Sequence, residues 1–342
     1  MRNTRRNHCR QPALLLAQGA LLTVLLAPAA GAPPAANDKE NTMPRAKTAA
    51  TSKDFQIADE RFRAILRPDS AVERIADGLK FTEGPVWLPG RKVLVFSDIP
   101  ADTLYQWTEG KGLSVFRKPS HNANGNTLDL RGRLVTCEHG SRTVTRTETS
   151  GKVNVLAAEY KGGRLNSPND AVVAGDGSIW FTDPPYGLPK SAKKEQAGNY
   201  LFRLDPNAPA PVVVADDFDM PNGLCFSPDE KLLYVADSGS PHHVRRLAVG
   251  KGGTLSGGKV FATISPGVPD GIRCDEAGRL FSTAGDGVQV FDPDGTLLGR
   301  ILTPAPAANC CFGGPSRKTL FITARDAVYA VKLAVAGAAR PK

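Results

Sequence analysis

Six short aliphatic segments recur along the chain at near-even spacing. Val93-Leu94-Val95-Phe96, Leu134-Val135-Thr136, Ile179-Trp180-Phe181-Thr182, Leu232-Leu233-Tyr234-Val235, Leu280-Phe281-Ser282-Thr283 and Thr319-Leu320-Phe321-Ile322 begin 41, 45, 53, 48 and 39 residues apart. Ten residues before each start stands a polar residue: Glu83, Asn124, Asn169, Asn222, Asp270 and Asn309. Between these segments run Gly, Pro, Asn and Asp clusters, and only Asp59 to Leu66 reads as a helical turn. A β-rich repeat of about 45 residues fits one blade of a propeller, in which about four strands surround a central channel. A parallel β-helix needs a far shorter period, and a two-sheet sandwich gives no reason for six-fold register. The expected fold is all-β: a six-bladed β-propeller over residues 54–334, its sheet edges removed by closure.

The flanks read differently. Arg2, Arg5 and Arg6 precede a mostly apolar run from Ala13 to Ala30, and Ala30-Gly31-Ala32 forms a small-residue cleavage site, the pattern of a signal peptide over residues 1–32. Gln18, Thr23 and Pro28 interrupt a run barely long enough to span a bilayer, which argues against an uncleaved anchor. Residues 33–53 read as a flexible linker and 335–342 as a flexible tail. The expected location is therefore periplasmic or secreted, with no stable membrane association after cleavage.

Cleavage removes four arginines and no acids, lowering the formal charge from +9 to +5. No run of Lys and Arg interleaved with aromatics appears, so a nucleic-acid partner is not expected. Cys9 leaves with the signal, and Cys137, Cys225, Cys274, Cys310 and Cys311 are odd in number and widely spaced. That pattern is no disulfide framework, and adjacent Cys310 and Cys311 read as two buried thiols on a strand.

In a propeller the innermost strands line the axis, so residues at equivalent blade positions converge. Any one Asn-Gly or Asp-Gly pair is ordinary turn chemistry; six in register, two of them acids, point to a ring. An oxygen-only ring with two carboxylates suits a hard divalent cation such as calcium, whereas zinc prefers His and Cys. The ends of the second strands reach the same mouth and bring Asp98, His139, Asp183, Asp237 and Arg325. His139 stands out because imidazole titrates near neutral pH. No Gly-x-Ser-x-Gly elbow and no His-x-x-x-His pair occurs, which disfavours serine and zinc hydrolysis.

At these residues the chain resembles the gluconolactonase and regucalcin (senescence marker protein) family. The matching words are Glu83-Gly84-Pro85-Val86-Trp87, Leu165-Asn166-Ser167-Pro168-Asn169-Asp170, Pro221-Asn222-Gly223-Leu224, Pro269-Asp270-Gly271 and Cys310-Cys311-Phe312-Gly313-Gly314. Asn124-Gly125-Asn126-Thr127, Cys137-Glu138-His139-Gly140 and Phe181-Thr182-Asp183-Pro184-Pro185-Tyr186-Gly187 resemble the bacterial gluconolactonase-like branch. The resemblance implies Glu83, Asn222 and Asp270 as ligands of one divalent metal, with Asp270 also moving the proton. It implies Asn169 as a metal ligand or substrate contact. Asn124, His139, Asp183 and Arg164 are candidate substrate contacts, Arg164 because Ser167 stands where regucalcin-type members carry an arginine. The implied activity is metal-dependent opening of a sugar-type lactone, with calcium the expected ion and zinc, magnesium or manganese the alternatives. A phosphotriesterase or arylesterase on the same ring, or a non-catalytic binding propeller, is the competing expectation.

Overall fold

The computed structural model describes residues 53–339. The expected signal peptide and all but the last residue of the expected linker lie outside the described residues. Six sheets carry the body. Their innermost strands are Thr82–Leu88, Ala123–Leu128, Ala171–Val173, Pro221–Phe226, Ile272–Cys274 and Asn309–Gly313. Each lies against the innermost strands of its two neighbours, and the sixth lies against the first. The ring is closed, as expected of a six-bladed propeller.

The six aliphatic segments are the second strands, Val93–Asp98, Leu134–Glu138, Ile179–Asp183, Leu232–Asp237, Leu280–Ala284 and Thr319–Ala324, and each starts where the repeat placed it. Neighbouring blades cover both faces of these strands, so their apolar runs are continuous rather than alternating. Outer strands meet water and are punctuated by exposed residues, as in Gly112–Arg117 and Val153–Ala157. Aromatic contacts join blades: Trp87 stacks on Phe321 at 5.6 Å across blades one and six, and Trp180 meets Phe226 edge-on at 5.5 Å across blades three and four.

Blade six takes three strands from the end of the chain and its outermost strand, Glu73–Ala76, from near the start of the described chain. Phe55–Ile57 adds a fifth strand to blade five. Between them, Asp59 caps a 3-10 helix, Glu60–Ile65, by accepting from the Arg61 backbone nitrogen at 2.9 Å. Phe62 and Ile65 bury one side of this turn in the core between blades five and six.

The expectation of a flexible tail from residue 335 needs correction up to residue 339. Gly337 donates to the Arg317 carbonyl and Ala338 to that of Cys274, while the Ala336 carbonyl accepts from Glu276. Ala336 is buried as well. The short Ala and Val side chains carry no periodicity a sequence reading could use, yet they fit against the blade loops. All five cysteines of the body are buried.

Candidate functional site

Glu83, Asn124 and Asn222 sit where their innermost strands are irregular, Asn169 and Asp270 lie just ahead of theirs, and Asn309 is in regular register with Thr323. Pairing with the second strand slips between Glu83 and Val86, Ala123 and Asn126, and Pro221 and Leu224. These bulges turn side chains out of the pleat and toward the axis. The glycines that follow serve a close approach between blades. A Cβ at Gly84 would lie 1.9 Å from the Asn124 carbonyl oxygen, one at Gly125 2.5 Å from that of Asn169, and one at Gly223 2.2 Å from that of Asp270. Of these three only Gly84 has a left-handed backbone, at φ +49°. The Asn-Gly pairs are thus packing signals here rather than turns.

Hydroxyls on the second strands reach across the same seam. Ser97 donates to the Asn124 carbonyl at 2.6 Å, Thr182 to that of Asn222 at 2.8 Å, and Thr283 to that of Ala308 at 3.2 Å. The Asn124 and Asn222 carbonyls lie in bulged strands, where the sheet ladder leaves them open, and the Ala308 carbonyl also accepts from the Gly271 nitrogen at 2.7 Å.

Glu83, Asn124, Asn169, Asn222 and Asp270 line the floor of one cavity of about 560 Å³, and His139 stands in its wall. The sixth ring member does not reach the cavity. Asn309 lies behind Glu83, giving its side-chain nitrogen to Glu83 Oε2 at 3.0 Å and taking the Cys310 backbone nitrogen on Oδ1 at 2.8 Å.

Of the second-strand ends, His139 alone lines this cavity. Asp98 accepts from the backbone nitrogens of Lys80 and Phe81, Asp183 from that of Asn166, and Asp237 from those of Asp219 and Met220. These three aspartates fix the loop that leads into their own blade's innermost strand, which is the strand-end role of such residues. Arg164 is exposed, and its guanidinium donates to the Ser141 carbonyl at 2.8 Å outside the cavity. Tyr186, Ser238 and Asn122 add polar groups to a wall that Phe81, Ile99 and Val268 otherwise make apolar; the repeat does not reach these three. Only Tyr186 had a signal, inside the word Pro184-Pro185-Tyr186-Gly187.

The electrostatics are those of an anion cluster. Burial, then the charges of Glu83 and Asp170, push the Asp270 carboxyl well above its ordinary range. Burial and Asp170 push Glu83 up in turn, and the Gly84 nitrogen and the Asn309 amide offset part of this. Burial lowers His139 to about 4 and keeps its ring neutral. Its Nε2 lies 3.1 Å from Asn124 Nδ2, so the imidazole accepts and the amide donates. That leaves Asn124 Oδ1 buried, with no hydrogen-bond partner among the described residues. An orphaned amide oxygen beside two carboxylates that resist ionisation fits a hard cation. Glu83, Asp270, Asn169 and Asn222 offer carboxylate and amide oxygens to the same cavity, a donor set that suits a hard divalent cation.

The model of the SMP-30/Gluconolactonase/LRE-like region matches residues 81–326. The chain belongs to this family. A gluconolactonase of Zymomonas mobilis is 35% identical over 301 residues, covering 80% of this chain and 84% of that protein. A 6-deoxy-6-sulfogluconolactonase of Pseudomonas putida is 31% identical over 253 residues, covering 70% and 82%. The solved structure of a Xanthomonas campestris gluconolactonase superposes with a TM-score of 0.78 at 38% identity, covering 84% of this chain and 96% of that one. The family match spans every ring residue, from Glu83 to Asn309.

Proposed function

We propose that this gluconolactonase-family chain is a metal-dependent lactonase that opens a sugar-type lactone to its aldonic acid. The observation that carries the reading is the pairing of Glu83 and Asp270, two carboxylates held in one ring of amides on the floor of a single cavity. The names of the relatives supply the substrate class. A cavity of about 560 Å³ is of the size that takes one small ligand.

Glu83, Asn169, Asn222 and Asp270 would hold a divalent cation, calcium by the hard-oxygen character of the set, which would supply Lewis acidity toward a carbonyl oxygen. Asp270 takes the proton of the attacking water and returns it to the ring oxygen as the ester bond breaks. Asn222 is oriented for its part, since its amide nitrogen donates to Ser238 Oγ at 3.0 Å. Tyr186, Ser238 and Asn122 offer hydrogen bonds to substrate hydroxyls, and neutral His139 holds the Asn124 amide. Burial raises the Tyr186 phenol to about 12, so it remains a donor at every working pH.

The test is acid release from a panel of aldonolactones, run beside aryl phosphate triesters and aryl esters. Each is assayed after chelation and after return of calcium, zinc, magnesium or manganese. The expected result is lactone turnover that chelation abolishes and calcium restores. Turnover of the aryl esters alone would move the substrate class, and turnover untouched by chelation would remove the metal.

The reading includes export to the periplasm or beyond, supported by the arginines, apolar run and small-residue site of residues 1–32. N-terminal sequencing of the periplasmic protein should begin near Ala32 or Pro33. A full-length chain recovered in the membrane would overturn it.

A further inference from the structure

Directly under the ring lies a charged pair that the proposed chemistry does not use. Asp170, next in sequence to Asn169, is 1% exposed at its side chain and 3.2 Å from the Arg273 guanidinium. The other Asp170 oxygen accepts from the Ala171 nitrogen at 2.9 Å. Arg273 Nη1 also donates to the carbonyls of Ile272 at 2.7 Å and Leu224 at 3.4 Å. These contacts tie the innermost strands of blades three, four and five through one guanidinium.

Arg273 does not line the cavity that holds Glu83 and Asp270. It lines a second cavity, of about 750 Å³, to which all six innermost strands also contribute at their other ends, among them Trp87, Leu128, Val173, Phe226, Cys274 and Phe312. The 16% of its side chain that is exposed faces that far mouth. The guanidinium therefore stands in the channel between the two mouths.

Three carboxylates share the axis: Glu83, Asp170 and Asp270. Among the described residues Arg273 is the cation that faces them, and its geometry pairs it with Asp170. One acid is thereby balanced inside the protein, and two are left for an ion. We infer that Arg273 is a resident cation that sets the charge of the ring at two negatives, and so tunes the site toward a divalent rather than a trivalent ion. This rests on the metal reading of the site. Arg273 is a positioning and selectivity residue, since it touches neither substrate nor ion.

The experiment measures calcium and terbium binding by titration of the metal-free full chain, with terbium luminescence for the second ion. Arg273→Met adds one uncompensated negative charge, which favours the trivalent ion. The terbium-to-calcium affinity ratio should rise about tenfold, from one extra charge-charge interaction at short range in a partly screened interior. Asp170→Asn, close in size, should lower the ratio by about the same factor, and it decides the matter if Arg273→Met fails to fold. The double variant restores the balance and should return to within about threefold of wild type. Single variants that bind calcium with wild-type ratios would overturn the inference and leave the metal reading intact. A wild type that binds neither ion would remove the metal reading and this inference together.

Discussion

Asn309 donates its side-chain nitrogen to Glu83 Oε2 at 3.0 Å, a contact between residues 226 positions apart in the chain. Glu83 is the first ring residue in sequence and Asn309 the last, so this bond closes the ring at the level of the site. It also points the carboxylate. Asn309→Ala should weaken calcium binding about 10–100-fold, the usual cost of removing a group that orients a metal ligand, with the melting temperature of the metal-free protein little changed. Isothermal titration checks the first and calorimetry the second. Unaltered affinity would mean that Glu83 needs no support.

Asp270→Asn keeps an oxygen of similar size but removes both the charge and the basic site. Turnover of the best lactone should fall about 10²–10⁴-fold at saturating metal, the contribution of a general base. Metal content, measured on the same sample, separates lost catalysis from lost ion. A variant that contains metal and turns over within a few-fold of wild type would pass the proton to another group, with His139 nearest to hand.

Stability of the metal-free protein should depend on pH in an uncommon direction. Burial raises Glu83 and Asp270, and it raises Asp183 to about 7. A carboxyl whose folded pKa exceeds its unfolded value favours the fold at low pH. That contribution is lost as pH climbs from the ordinary carboxylate range through the raised value. His139 runs the other way: lowered to about 4 from 6.5, it costs stability as pH falls between those values. Burial also raises Asp275 and lowers His243; four acids outweigh two histidines, so chelated protein should melt higher near about pH 5.5 than near about pH 8. Saturating calcium should narrow the gap by holding Glu83 and Asp270 ionised. Calorimetry with and without calcium reads both.

A methyl group at Gly223 would stand 2.2 Å from the Asp270 carbonyl oxygen, whereas one at Gly90 meets nothing within 4 Å. Gly223→Ala should therefore cost about 1–3 kcal/mol or more by overpacking, and Gly90→Ala almost nothing. Urea denaturation of the two variants gives the comparison. Equal midpoints would show that the seam between blades four and five has room to spare.

The repeat was legible because its cause is local: a second strand enclosed on both faces must be apolar, and a backbone packed closely at the axis carries a polar residue, followed in four blades by glycine. Glu83, Asn124, Asn169, Asn222 and Asp270 do meet at one cavity floor. Equivalent position did not distinguish them from Asn309, whose amide is turned into the wall by a partner in blade one. Nor did it separate His139 from Asp98, Asp183 and Asp237, which spend their carboxylates on backbone nitrogens of their own blades. The Arg273–Asp170 pair left no trace in the sequence, since the two residues are 103 positions apart and neither falls at a ring position. Tyr186 comes from a loop outside the period.

Blade six is completed by Glu73–Ala76 lying against Ala327–Lys332. The first of these strands is synthesised near the start of the body and the second about 250 residues later, so the ring cannot close until the second has emerged. Until then Glu73–Ala76 lacks its partner, and the side of blade one that receives blade six stays bare. A stop codon just before Asn309 would leave Glu83, Asn169, Asn222 and Asp270 all present in the product, but with nothing to hold the first against the last. Such a fragment would carry every proposed ligand and an unpaired strand edge, open to another chain.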